Sequence, residues 1–218
     1  MALPTYLELV NDVLVRMREP EVSTVQENVL SKLVGKLVND SKRQVEDAYK
    51  WNALISTINI STVASTYNYT LTGTGQRFKI VGARNSTQKL ELRNIPVSTM
   101  DEWLEYSAQN AAPGFYAFNG VNTTTGDAKL DVYPIPDAVY SLKFETYIPQ
   151  DNLVNDGTVL QVPSEPVILG AFARALVERG EDGGLNSSEA YGLYRSSLAD
   201  HIAIEASRFA EDDGWEAV

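Results

Sequence analysis

The spacing of apolar residues changes twice along this chain. In residues 5–51 it is helical, in 53–150 it alternates, and from 164 onward the helical spacing returns. In the first segment Tyr6, Leu9, Val10, Val13, Leu14 and Met17 share one face over three turns. Thr5-Tyr6-Leu7-Glu8 is a capping box that opens this helix, and Pro20 closes it. A second box, Thr24-Val25-Gln26-Glu27, predicts the start of a longer helix. Leu30, Leu33, Val34, Leu37, Val38, Ser41, Val45 and Ala48 form its inner face, ending near Trp51. Lys32, Lys36, Lys42, Arg43 and Lys50 form its outer face. The short loop between the two predicts an antiparallel helical pair.

The middle of the chain reads as strand after strand. Ile58 and Ile60 alternate with Thr57 and Asn59, and Tyr67, Tyr69 and Leu71 with Asn68, Thr70 and Thr72. Gly73-Thr74-Gly75 turns the chain; Phe78 and Ile80, then Leu90 and Leu92, continue the pattern. Thr99-Met100-Asp101-Glu102 has capping-box spacing and predicts a short helix through Trp103, Leu104 and Tyr106. The clearest period-2 pattern lies in 128–150. Leu130 and Val132 oppose Lys129 and Asp131. Beyond Pro134-Ile135-Pro136-Asp137, a row of Tyr140, Leu142, Phe144, Thr146 and Ile148 opposes Ser141, Lys143, Glu145 and Tyr147. This predicts a β-hairpin with one dry and one wet face, its prolines in the turn.

Residues 151–162 read as an extended linker. Ser164 then caps a helix with Pro166 in its first turn. Ile168, Ala171, Phe172, Ala175 and Leu176 face inward, and Gly170, Ala171, Ala173 and Ala175 let another helix approach closely. Gly180 and Gly183-Gly184 end it, and Asn186, with Glu189 three residues on, caps a last helix to about Phe209. Leu193, Tyr194, Ser197, Leu198, His201 and Ile202 form its stripe. The fold class is therefore α+β. Residues 1–52 and 163–218 make a four-helix bundle from two terminal helix pairs, and 53–150 form an inserted, mostly antiparallel β domain, a small sandwich or open barrel.

Composition narrows the function more than the fold. At 218 residues the chain can build its own core. It has no cysteine, which excludes disulfides and thiolate metal sites and favours the cytosol. No apolar run approaches a membrane span, and no charged segment followed by an apolar core suggests a secretory signal. The net charge of −11 is uneven: 1–60 and 61–149 each hold 7 Lys/Arg against 8 Asp/Glu, whereas 150–218 hold 4 against 13. An acidic C-terminal third argues against a phosphate-gripping surface.

Signals for catalysis are sparse. The only histidine, His201, sits on a helical stripe near Asp200 and Glu205, and no second histidine joins it for zinc. Gly73-Thr74-Gly75-Gln76-Arg77 lacks the Gly-Lys-Ser/Thr of a phosphate loop. Asp101, Glu102 and Glu105 read as the solvated face of a short helix rather than as paired catalytic carboxylates. No enzyme activity, cofactor or metal is expected. Tyr67, Tyr69, Tyr116 and Tyr133 would be the surface of a carbohydrate- or ligand-binding β module, a reading from a different class. Phe209 and Trp215, in an acidic tail, are candidate partner-binding anchors.

The order of motifs adds a resemblance. Asn11 to Arg18, then Glu19-Pro20-Glu21-Val22-Ser23-Thr24, then a long helix ending Trp51-Asn52, resembles the start of tail tubular protein A-type adaptors of tailed bacteriophages. The series Leu130-Asp131-Val132-Tyr133-Pro134-Ile135-Pro136-Asp137, a tyrosine-bearing strand to Tyr147, an acidic linker and a Gly170-Ala171-Phe172-Ala173 helix is similar too. The resemblance implies a structural virion protein at the head–tail junction, made in the host bacterial cytoplasm. Such adaptors form a ring, usually of twelve copies, below the portal protein. Their helical part docks on the portal and their β part meets the tail nozzle or tube protein, while DNA passes through the lumen without specific binding. Another neck or tail-completion protein is the alternative within the virion.

Overall fold

The computed structural model describes residues 3–180 and 185–208. In chain order the elements are α1 (Tyr6–Arg16), α2 (Val29–Ala48), β1 (Ile55–Ser61), β2 (Asn68–Leu71), β3 (Lys79–Asn85), β4 (Leu90–Glu91), β5 (Arg93–Asn94), α3 (Val97–Tyr106), β6 (Phe115–Val121), β7 (Ala128–Tyr133), β8 (Ser141–Tyr147), α4 (Ser164–Arg179) and α5 (Leu185–Ala206). The protein is α+β. It divides into two compact units, one from the described residues of Met1–Leu54 and Gln150–Val218, the other from Ile55–Pro149.

In the helical unit α4 packs against α1, α2 and α5. Its sequence explains why. Val167, Leu169, Gly170, Ala171, Ala173 and Ala175 are all buried, so small side chains let three neighbours approach one helix. A Cβ at Gly170 would collide with the Ser41 hydroxyl and meet the Tyr194 ring at 3.1 Å. At the N-terminus the predicted box forms: Glu8 N donates to Thr5 Oγ1 (3.3 Å), and Thr5 N donates to Glu8 Oε2 (2.7 Å).

Several expected helix ends move. The second box does not start α2. Asn28 caps it, with Ser31 as the reciprocal partner (2.8 and 3.1 Å). The Glu27 carboxylate instead accepts from Ser23 N (2.7 Å), closing a turn before the helix. α2 ends at Ala48, not Trp51, and α3 begins at Val97 without a side-chain cap. Pro163, not Ser164, is the N-cap of α4. Asn186 lies inside α5 rather than capping it.

The β unit holds two four-stranded sheets, in the orders β1-β8-β3-β4 and β2-β7-β6-β5, antiparallel except for the β5–β6 pair. Leu71, Tyr116, Leu130 and Val132 of one sheet share a core with Ile60, Ala83, Leu142 and Phe144 of the other. The expected 128–150 hairpin is thereby corrected: β7 and β8 are strands, but in different sheets. β7 lies between β2 and β6, and β8 between β1 and β3, so neither has a free edge for the other. The chain between them crosses from sheet to sheet. Pro134 and Pro136 offer no N–H, while Ile135 N donates to Gln109 O (2.8 Å), Ser65 N to Pro136 O (2.8 Å) and Thr62 Oγ1 to Ala138 O (3.0 Å). Alternation sets a strand's faces and leaves its partner open.

The wet face also differs from expectation. α3 covers the outer side of β7, where Met100, Ala117 and Tyr133 are buried with Trp103 and Phe115 around them. The Trp103 ring meets Tyr133 at a tilt, 5.1 Å between centroids, and Phe115 edge-on at 5.2 Å. Asp131, expected in water, is buried and accepts from Asn68 Nδ2 (2.6 Å) and Asn119 Nδ2 (2.7 Å).

Candidate functional site

The residues that carry chemistry at sequence level come out as scaffold or surface. His201 Nδ1 lies 2.8 Å from its own helix's Ser197 carbonyl, and Glu205 is engaged by Asn52 N (2.7 Å) and Arg208 (2.8 Å). Asp101, Glu102 and Glu105 are exposed on α3. The Gly73–Gly75 turn is closed from inside the chain: Asp127 Oδ1 accepts from Gly73 N (3.0 Å) and Gly75 N (3.1 Å). These bonds, first that from Gly75, then that from the Thr125 hydroxyl, hold the Asp127 carboxyl below the usual carboxylate range. No cluster of three or more His, Asp or Glu side chains able to hold a metal occurs among the described residues.

The tyrosines do not form a ligand platform. Tyr116 is in the sandwich core and Tyr133 is buried beneath α3. The Tyr69 hydroxyl donates to Thr66 O (2.7 Å), and Tyr67 alone of the four is exposed. Phe209 and Trp215 lie outside the described residues, as do Gly183 and Gly184.

Three features were not foreseen. The first is a buried ion pair in the helical unit. Lys42, expected on the outer face of α2, is fully buried with Glu46 (Nζ–Oε1 2.9 Å). Lys42 Nζ also donates to the carbonyls of Gln150 and Asp151 (2.5 and 3.0 Å), and Glu46 Oε1 accepts from Gln150 N (3.2 Å). The hint was there: Lys42 follows Val38 by four and precedes Val45 by three, which places it on the apolar stripe.

The second is a pair of asparagine clamps. Asn11 donates to Val22 O (3.0 Å) and accepts from Val22 N (2.9 Å); Asn39 does the same to Leu153 (3.0 and 2.7 Å). Each amide matches one residue's backbone donor and acceptor, as a neighbouring strand would. The segment expected as a linker is thus fastened: Leu153, Leu160 and Val162 are buried, Tyr6 N donates to Thr158 O (2.8 Å) and Leu160 N to Pro4 O (3.0 Å).

Third, the sandwich is closed on one flank and open on the other. β1 and β2 touch at the closed flank. At the other, between β3–β4 and β5–β6, lies a cleft of about 860 Å³ floored by Phe78, Ile80, Tyr116 and Phe118. Some motif residues of the family resemblance make contacts within the helical unit, while Pro20, Glu21, Ser23 and Thr24 are exposed. Glu19 pairs with Arg179 of α4, Val22 is buried, and Trp51 Nε1 donates to Val45 O (2.7 Å).

The SU10 adaptor protein family model matches residues 4–213. The chain belongs to that family. It is a family of bacteriophage head–tail adaptors, structural proteins of the virion, as the motif order implies; the match does not extend to the narrower likeness to tail tubular protein A. No curated protein matches the chain. No described helix of this family member is long and apolar enough to cross a membrane.

Proposed function

We propose that this SU10-family adaptor assembles as a ring, twelve copies in number, below the portal, joins the portal to the tail nozzle or tube protein, and lines the DNA passage. In this reading the helices of 1–52 and 163–218 act as a four-helix bundle that docks on the portal, and the β domain meets the tail. The family match over 4–213 carries the proposal. The acidic C-terminal third supports the lumen role, because a channel that transports DNA works best when it does not hold phosphates. Phe209 and Trp215 are the proposed portal anchors.

Electron microscopy of this chain mixed with the portal of the same phage tests the reading. Rings stacked on the portal are the expected result, and an absence of association would remove it. Truncation after Arg208 tests the anchors separately: portal binding that survives unchanged would eliminate Phe209 and Trp215 from the interface.

A further inference from the structure

The two flanks of the sandwich are unlike, and both are left incomplete by the single chain. At the closed flank β1 is the edge strand of its sheet: β2 touches it, but β8 is its one hydrogen-bonded neighbour. Thr62 N donates to Tyr140 O (2.9 Å), and Ser56 O accepts from the Thr146 hydroxyl (3.1 Å), so the even-numbered residues of β1 turn their backbone groups toward β8. In an antiparallel ladder the odd-numbered ones, Ile55, Thr57, Asn59 and Ser61, then aim N–H and C=O outward. Edge strands of this length are usually blunted by a charge, a proline or a bulge. β1 has none of these, and no residue of 51–76 is charged at all in a chain of net charge −11.

The open flank lies at the far side of the same sheet. β4 pairs with β3 only at Arg84 and Asn85, and Leu92 N reaches Ala83 O, so the preceding part of β3 has no strand partner on that side. The cleft there exposes Val81 and Val121 at its rim, and its only charged lining residues, Glu91 and Arg93, are of opposite sign.

We infer that these two flanks are the self-association surfaces of the adaptor: the β1 edge of one copy lies against the open β3–β6 cleft of the next. The inference rests on the ring reading and says which surfaces close the ring. A cyclic assembly needs two different complementary patches on opposite sides of each copy. The uncharged edge and the charge-balanced cleft let strongly acidic copies meet without opposing like charges. Because β1 and β3 are both antiparallel to β8, they run in the same direction. A ring operator with a small rotation therefore lays β1 of one copy parallel to β3 of its neighbour.

The test uses two single variants of the full chain, Asn59→Lys on the edge and Val81→Lys at the cleft. Both positions are exposed at the surface, and unchanged circular dichroism checks the fold of each variant. Chain and portal are mixed and imaged, and masses are measured in parallel. Wild type is expected to form rings, and each variant alone to lose them and remain at 24.0 kDa. Mixing the two variants restores one native contact per pair and is expected to yield a species of twice that mass, without rings. A symmetric edge-to-edge contact would not be rescued by mixing, and that result overturns the pairing of flanks. Rings from both variants as from wild type overturn the flank assignment and leave the ring standing. A wild type that never assembles overturns the ring reading, and the flank assignment with it.

Discussion

The helical unit and the β unit solve the same problem in opposite ways. The helical unit spends polar side chains inside itself. Lys42 and Glu46 are fully buried, and Asn11 and Asn39 bond to irregular backbone that would otherwise need water or a partner. The β unit packs Leu130, Leu142 and Phe144 fully buried between its sheets, keeps its buried Asp131 on the other face of β7 with Asn68 and Asn119, and leaves an edge strand and a cleft. The helical unit thus buries charge and amide groups inside a single chain, whereas the β unit leaves the backbone edge of β1 and an apolar cleft at its flanks.

The sharpest way to break this comparison is Lys42→Ala. It leaves the buried Glu46 carboxylate without its charge partner, and losing one partner of a buried pair costs about 3–5 kcal/mol. We expect denaturant unfolding to show a loss of that size, with Lys42→Met/Glu46→Leu recovering much of it. A loss below about 1 kcal/mol, the value of a surface pair, would mean the helical unit does not depend on its polar interior. Next in size is Leu142→Ala, which should lower stability by about 3 kcal/mol through lost burial and a cavity. Amide exchange separates the two units: Leu142→Ala should speed exchange in β8 and its neighbours, and Lys42→Ala in α2 and α4. Equal effects everywhere would show that the units unfold as one.

Thr5→Ala removes the acceptor for Glu8 N and is expected to cost about 1 kcal/mol, read as faster exchange in the first turn of α1. An unchanged first turn would show that the strap from Pro4 to Leu160 holds this end without the box. The smallest effect concerns acid. The folded state lowers the Asp127 pKa, so its contribution is complete above the ordinary aspartate range and is lost as pH falls through the folded value. Thermal midpoints of wild type should therefore fall more on acidification than those of Asp127→Asn. Parallel pH profiles would separate the Gly73–Gly75 turn from acid stability.

Much of the fold is legible in the sequence. The capping box at Thr5, the buried stripe of Tyr6, Leu9, Val10, Val13 and Leu14, the small face of α4 and the strand character of β7 and β8 all follow from local periodicity and residue size. The motif order also pointed to the phage head–tail adaptors to which the chain belongs. Less of the surface was legible. The tyrosines proposed for a ligand face read as exposed because alternation counts neighbours in sequence. Tyr133 is buried because α3, some 30 residues earlier, folds over it.

The sequence by itself determined which segments are helices and strands, the apolar face of α1 and which family the motif series resembles. These depend on contacts within a few residues, where spacing and side-chain shape suffice. Leu33, Ala48 and Leu193, expected on inner faces, are exposed. Only the tertiary structure decided that β7 and β8 part into separate sheets, that Lys42 and Asp131 are buried, and that the segment 151–162 is fastened rather than free. A strand's alternation is compatible with any partner, and a charged side chain can be buried wherever a distant segment brings it an opposite charge or a polar backbone group. Those partners lie far along the chain, as Asp151 does from Lys42, 109 residues away. At that distance local pattern carries no information about which groups will meet.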